Sequence, residues 1–133
     1  MADPIADELA VRNLVARLSR NADVADIDSY MSSFAVDAEW NLPGAPTRGY
    51  DEIRAGLIAR RDTGAVGPGS HTRHMVSTVS VDVDGDTATS ESYFQYIAET
   101  DTNPTLRLVG YYQDAFVRTP DGWRLQRRDI TFG

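Results

Sequence analysis

The chain has 133 residues, 41% of them hydrophobic, which suits one domain over 1–133 and leaves no room for a second ordinary core. It has no cysteine and no lysine, which excludes disulfides, thiol nucleophiles, cysteine-ligated zinc, Schiff-base chemistry and a phosphate loop with its lysine. A net charge of −7 argues against nucleic acid and anionic membrane as partners.

The acidic start lacks the basic region of a signal peptide, and no window reaches the ~18 apolar residues of a membrane span. The cytoplasm is therefore the expected location. Asp3-Pro4 reads as a helix start, with a capping carboxylate before proline at the first helical position. Ile5, Leu9, Leu14, Val15 and Leu18 follow at helical spacing, predicting a helix over 4–22. A shorter helix is expected over 26–34, where Ile27, Tyr30, Met31 and Phe34 share a face. Residues 38–42 read as a strand and Pro43–Pro46 as a loop. A third helix is expected over 50–61, with Ile53, Leu57 and Ile58 inward and Arg54, Arg60 and Arg61 in solvent. Three glycines and a proline make 63–70 the most flexible stretch.

Beyond it the hydrophobic period changes to two. Strands are expected over 74–83, 87–99, 107–118 and 123–132, joined by turns at Asp84-Gly85-Asp86 and Pro120-Asp121-Gly122 and a loop at 101–104. Helices first and an antiparallel meander after them argue an α+β fold with the helices on one face of the sheet. The uncharged set Ser92, Phe94, Tyr96 and Ala98 should face the helices, as should Leu108, Gly110, Tyr112, Asp114 and Phe116. Tyr93, Ile97, Val109, Tyr111, Ala115 and Val117 would then form an apolar outer patch, which predicts a homodimer across that face. Trp123 and Leu125 are out of step with Ile130 and Phe132, so the last strand should carry a bulge.

Two histidines occur, His71 and His74, in Ser-His-Thr-Arg-His-Met. Histidine is the side chain best suited to move protons near neutral pH. At the mouth of a strand the two project to opposite faces, so they make a poor shared metal site, and zinc needs at least three converging protein ligands. Asp23 stands at the end of the first helix, where the helix dipole disfavours a carboxylate, so a partner from elsewhere is expected to hold it. Asp26 and Asp28 read as cap and surface acids.

Several segments, taken in order and spacing, resemble one family. They are Asp23-Val-Ala-Asp26-Ile-Asp28, Phe34-Ala-Val-Asp37-Ala-Glu-Trp40, Gly49-Tyr-Asp-Glu-Ile53, Thr72-Arg-His74-Met, Val81-Asp-Val-Asp-Gly85, Gly110-Tyr-Tyr112-Gln-Asp114 and Asp121-Gly-Trp123-Arg. Together they resemble the SnoaL-like group of the nuclear transport factor 2-like superfamily, nearest the branch of scytalone dehydratase and hexachlorocyclohexane dehydrochlorinase. That resemblance implies a cone-shaped half-barrel, three helices packed in the concave face of a curved mixed six-stranded sheet, with a pocket at the open end. It also implies that Asp23 pairs with His74, the histidine taking a substrate proton while the carboxylate fixes its tautomer. Arg128 aligns with a pocket arginine of the dehydrochlorinase and would stabilise a leaving anion, unless a salt bridge to Asp114 occupies it. Trp40, Phe94, Tyr96, Leu108, Tyr112, Ile130 and Phe132 are expected to line the pocket.

The sequence departs from its relatives at other functional places. The dehydratase's second pocket histidine falls at Ala98 and its polarising tyrosine at Ala22. A ketosteroid isomerase would need a tyrosine near Leu18 and an aspartate near Leu42. The implied function is a small lyase without metal or cofactor, dehydratase- or dehydrohalogenase-like, or a related acid–base enzyme, acting on a neutral, largely apolar molecule. The alternatives are a non-catalytic ligand-binding domain and a structural partner like the small subunit of a ring-hydroxylating dioxygenase.

Overall fold

In a computed structural model, which describes residues 3–133, the Asp3 carboxylate accepts from the Ile5 and Ala6 N–H groups and caps helix α1 (Pro4–Val24). Met1 and Ala2, the first residues of the acidic start, lie outside the described residues. The buried stripe of α1 runs through Asp7, Val11, Leu14, Val15 and Leu18. Ile5 and Leu9, expected on that stripe, are exposed at 75% and 56%. Asp7 takes the inward place instead, because Arg118 grips it at 2.9 and 2.7 Å and the Trp123 indole N–H donates to it. Those bonds hold its carboxyl below the usual carboxylate range against the opposing effect of desolvation.

Helix α2 is short (Ile27–Met31) and is capped by Asp26. It ends before Phe34, which opens strand β1 (Phe34–Leu42) rather than closing the helix. The parallel neighbour explains the difference: the Leu125 N–H donates to the Ser33 carbonyl at 2.8 Å, and Phe34 pairs with Leu125. A second strand, β2 (Ala45–Arg48), forms where a loop was expected. It is a short, mostly exposed edge strand paired antiparallel to β1, a position that tolerates Pro46. Helix α3 (Tyr50–Asp62) follows and buries Ile53 and Leu57.

The remaining strands are β3 (Arg73–Asp84), β4 (Thr87–Ala98), β5 (Thr105–Thr119) and β6 (Gly122–Phe132). All six join one mixed sheet in the order β2-β1-β6-β5-β4-β3, with β1 and β6 the parallel pair. The sheet is curved and unclosed, with the helices on one face. Ala88, Ser90, Ser92 and Phe94 of β4 and Gly110, Tyr112, Asp114 and Phe116 of β5 are buried beneath them, as the alternation predicts. No helix among the described residues is long and apolar enough to cross a membrane.

The expected bulge lies in β6. Ala115 pairs with Arg127 and Phe116 with Leu125, so Gln126 is the additional residue. Before it Trp123 and Leu125 point inward; after it the phase switches and Arg128 and Ile130 do. The switch sets Arg128 opposite Asp114 on the inner face. The two are bidentate, Nε to Oδ1 at 2.7 Å and Nη2 to Oδ2 at 2.9 Å, and both residues are buried. Burial pulls the Arg128 pKa down, but the Asp114 carboxylate more than offsets it, so the net shift is upward and the guanidinium stays charged.

Breaking this pair from one side should leave an uncompensated buried charge. Asp114→Ala should therefore lower the unfolding free energy by about 3–5 kcal/mol, while joint Asp114→Leu and Arg128→Met replacement should recover most of the loss. Urea denaturation measures both. A loss below about 1 kcal/mol in Asp114→Ala, the scale of an exposed pair, would contradict a buried pair.

Candidate active site

Asp23 lies in the last turn of α1, and His74 is the second residue of β3, an edge strand. They are 51 positions apart, yet the His74 ring Nδ1 is 2.8 Å from Asp23 Oδ1. The backbone N–H of His74 also donates to both carboxylate oxygens, at 3.2 and 3.1 Å. Asp23 is 4% exposed, so these bonds replace the water it loses. An ionised carboxylate only accepts, so Nδ1 carries the proton and donates. The imidazole Nε2 is then the acceptor nitrogen, and it has no hydrogen-bond partner among the described residues.

The helix end that carries this buried acid is held by Arg61 of α3. Its Nη1 donates to the Ala25 carbonyl at 2.8 Å, and its Nη2 donates to the Asn21 and Ala22 carbonyls. A cation at these last carbonyls offsets the unfavourable meeting of Asp23 with the negative end of the helix dipole. Gly67 packs on this arginine. A Cβ there would come within 2.8 Å of the Arg61 side chain, and the residue sits at φ +92°, a backbone that favours glycine.

His74 forms part of the wall of a narrow cavity of about 60 Å³ between the helices and the sheet. Leu18, Ala22, Leu57 and Val66 supply its apolar side. Tyr30, Trp40, Tyr112, Arg60, Arg61, Arg128 and Ser19 complete it. Arg128 stacks on Tyr112 with its guanidinium carbon 3.8 Å from the ring centre. Its two bonds to Asp114 use Nε and Nη2 and leave Nη1 without a partner among the described residues. Thus the salt bridge and the place in the pocket wall, weighed above as alternatives, occur together. Burial pushes the Tyr112 and Tyr30 phenols well above their ordinary pKa, so both remain O–H donors near neutral pH.

Of the residues expected in the pocket, Trp40, Tyr112 and Arg128 line it, and five do not. Phe94 lies behind Tyr112, stacked at 4.3 Å between ring centres. Gly110 makes room for that ring, since a Cβ there would stand 2.1 Å from it. Phe132 pairs with Gly110, where Phe94 already fills the inner face, and it is half exposed at the end of β6. Ile130 is buried in the core and Leu108 packs against the core's edge. Tyr96 packs 5.4 Å from the His74 ring but turns its hydroxyl outward, donating to the Ala65 carbonyl at 2.5 Å. His71 stands outside, exposed, 3.5 Å from Asp101.

Arg60 and Arg61 correct the expectation that they lie in solvent; only Arg54, paired with Asp28 at 3.2 Å, stays near the surface. The available signal was spacing: 60 and 61 follow the inward Leu57 by three and four positions and so share its face. Arg60 pairs with no carboxylate among the described residues, and partial burial lowers its pKa below the ordinary arginine value. The indole Nε1–H of Trp40 and the hydroxyl of Ser19 are buried with no hydrogen-bond partner among the described residues. Each such orphan costs about 1–3 kcal/mol in a folded protein. No three His, Cys, Asp or Glu side chains among the described residues converge as a metal site.

A family model for the SnoaL-like domain matches residues 3–129. An uncharacterized protein of Mycobacterium tuberculosis is 32% identical over 128 residues, covering 93% of this chain and 84% of its own. Among solved structures, a nuclear transport factor 2-like protein with a cystatin-like fold from Novosphingobium aromaticivorans superposes with a TM-score of 0.85. It is 26% identical, and the match covers 96% of this chain and 82% of that one. A candidate scytalone dehydratase from the same organism superposes with a TM-score of 0.80 at 20% identity, over 97% of this chain and 85% of that one. The chain belongs to the SnoaL-like domain family and shares its fold with nuclear transport factor 2-like proteins.

Proposed function

We propose that this protein is a small acid–base enzyme of the lyase type, dehydratase- or dehydrohalogenase-like, that works through a His74–Asp23 dyad and needs no cofactor. The observation that carries this reading is the imidazole itself. Its Nδ1 is bound by a buried carboxylate, its Nε2 has no partner among the described residues, and the residue is part of the cavity wall. That arrangement makes Nε2 a general base. It would take a proton from a substrate carbon while Asp23 stabilises the resulting imidazolium. The C–H electron pair becomes the new C=C bond, and the leaving group departs from the adjacent carbon with its own bonding pair. Arg128 and Tyr112 both line the cavity, and Arg128 Nη1 and the Tyr112 hydroxyl are donors suited to that anion. The apolar wall of Leu18, Ala22, Leu57 and Val66 suits a substrate with a hydrocarbon body.

We also propose that the protein is a homodimer through the outer face of the sheet. Tyr93 and Val109 are 49% and 41% exposed there, and Tyr93 packs on Tyr111 at 6.0 Å between ring centres. Tyr93→Glu with Val109→Glu should shift sedimentation from dimer to monomer at roughly tens of micromolar, a range that detects a weak interface. A wild-type monomer at that concentration would contradict the dimer.

The chemistry is tested with small β-hydroxy and β-halo compounds incubated in deuterated water and followed by NMR for new alkene signals. His74→Ala should slow alkene formation by about 10²–10⁴-fold, the usual worth of a general base. Asp23→Asn should slow it in the same direction, with both variants still folded by circular dichroism. Alkene formation at the wild-type rate in His74→Ala would contradict the dyad.

A further inference from the structure

We infer that the ligand of this cavity carries an anionic oxygen, such as a carboxylate, and that Arg60 and the indole N–H of Trp40 hold it. This rests on the cavity being the ligand site, as the proposed function has it, but not on any turnover there. It replaces the expectation of a neutral ligand with one that has an apolar body and a negative end.

Three observations converge. Arg60 lines the cavity, has lost part of its hydration, and pairs with no carboxylate among the described residues. The other two cavity arginines are engaged: Arg61 caps the end of α1, and Arg128 is bidentate to Asp114. Trp40 is 6% exposed, and its N–H, which can only donate, has no acceptor among the described residues. The guanidinium carbons of Arg60 and Arg128 lie 6.0 and 5.6 Å from the centre of that indole ring. Two cations thus lie over the ring that carries this donor. No Asp or Glu among the described residues lines the cavity, and the two acids bonded to its wall are committed there, Asp114 to Arg128 and Asp23 to His74. An anionic oxygen is the group that satisfies Arg60 and Trp40 together. On a molecule so held, the hydrocarbon part would reach the apolar wall and His74.

The test uses benzoate and benzamide, which share a shape and differ in charge, titrated into the ¹⁵N-labelled protein. The chain has two tryptophans, so each indole N–H gives one resonance, assigned with Trp40→Phe. Trp123 already donates to Asp7 and serves as the internal control. Benzoate should move the Trp40 resonance downfield, leave Trp123 in place, and bind at least tenfold more tightly than benzamide. Arg60→Gln, a change at a half-buried side chain, should abolish that preference. His74→Ala should keep it, which separates this claim from the dyad. Equal binding of the two probes, no movement of Trp40, a preference that survives Arg60→Gln or one that vanishes in His74→Ala would each overturn the inference.

Discussion

Asp23 joins the longest helix to the open edge of the sheet through one buried carboxylate. Edge strands expose unpaired backbone groups that must be covered. Here the His74 N–H of β3 is covered by Asp23, and the Val79 carbonyl further along the strand is covered by Arg12. Both partners come from α1, so the helix lies along the edge as well as over the core. The same carboxylate binds the imidazole Nδ1, and the position of the helix therefore sets the orientation of the ring. Moving α1 by a fraction of a turn would unsatisfy an edge N–H, a buried acid and a histidine at once. Arg61 completes the arrangement from α3 by binding the carbonyls beside Asp23. Three elements distant in sequence thus meet at one acid.

The opposite wall depends on a single additional residue in β6. Without the bulge at Gln126, Arg127 and Asp129 would take the inward phase. With it they stay toward solvent, where they pair with each other, and Arg128 enters the interior. The result is a cavity whose wall is cationic inside a chain of net charge −7. A buried guanidinium, an orphaned indole N–H and an unpartnered serine hydroxyl all work against stability. Sites of this kind are where folded proteins depart from the rule that every buried polar group finds a partner. The core around them, with Leu14, Leu18, Phe116 and Leu125 almost fully buried, offsets that cost, each side chain contributing about 1.5–3 kcal/mol by its burial.

Much of the architecture was legible in the residues. Alternation in β4 and β5 predicts their buried faces, and the broken phase of Trp123 and Leu125 against Ile130 predicts the bulge. The pairing of Asp23 with His74 was legible only through resemblance, because no local period links a helix end to a strand 51 positions on. Strand β2 escaped because it is four residues long, exposed and contains proline, so its pattern is that of a loop until β1 lies beside it. Arg60 and Arg61 escaped because charge was weighed above helical spacing; long side chains can bury their stems and still direct a guanidinium inward. Phe132 has the inward phase of its strand, but Phe94 occupies the space over its partner Gly110. Parity predicts which way a side chain points and is silent on what already fills the space.

With Asp23 bound to Nδ1, His74 should keep Nε2 bare. Nitrogen-15 NMR of the histidine rings, at a pH where the ring is neutral, measures this directly. His74 should carry its proton on Nδ1 with an unprotonated Nε2, and Asp23→Asn should weaken this preference. A His74 protonated on Nε2 in the wild-type protein would contradict it.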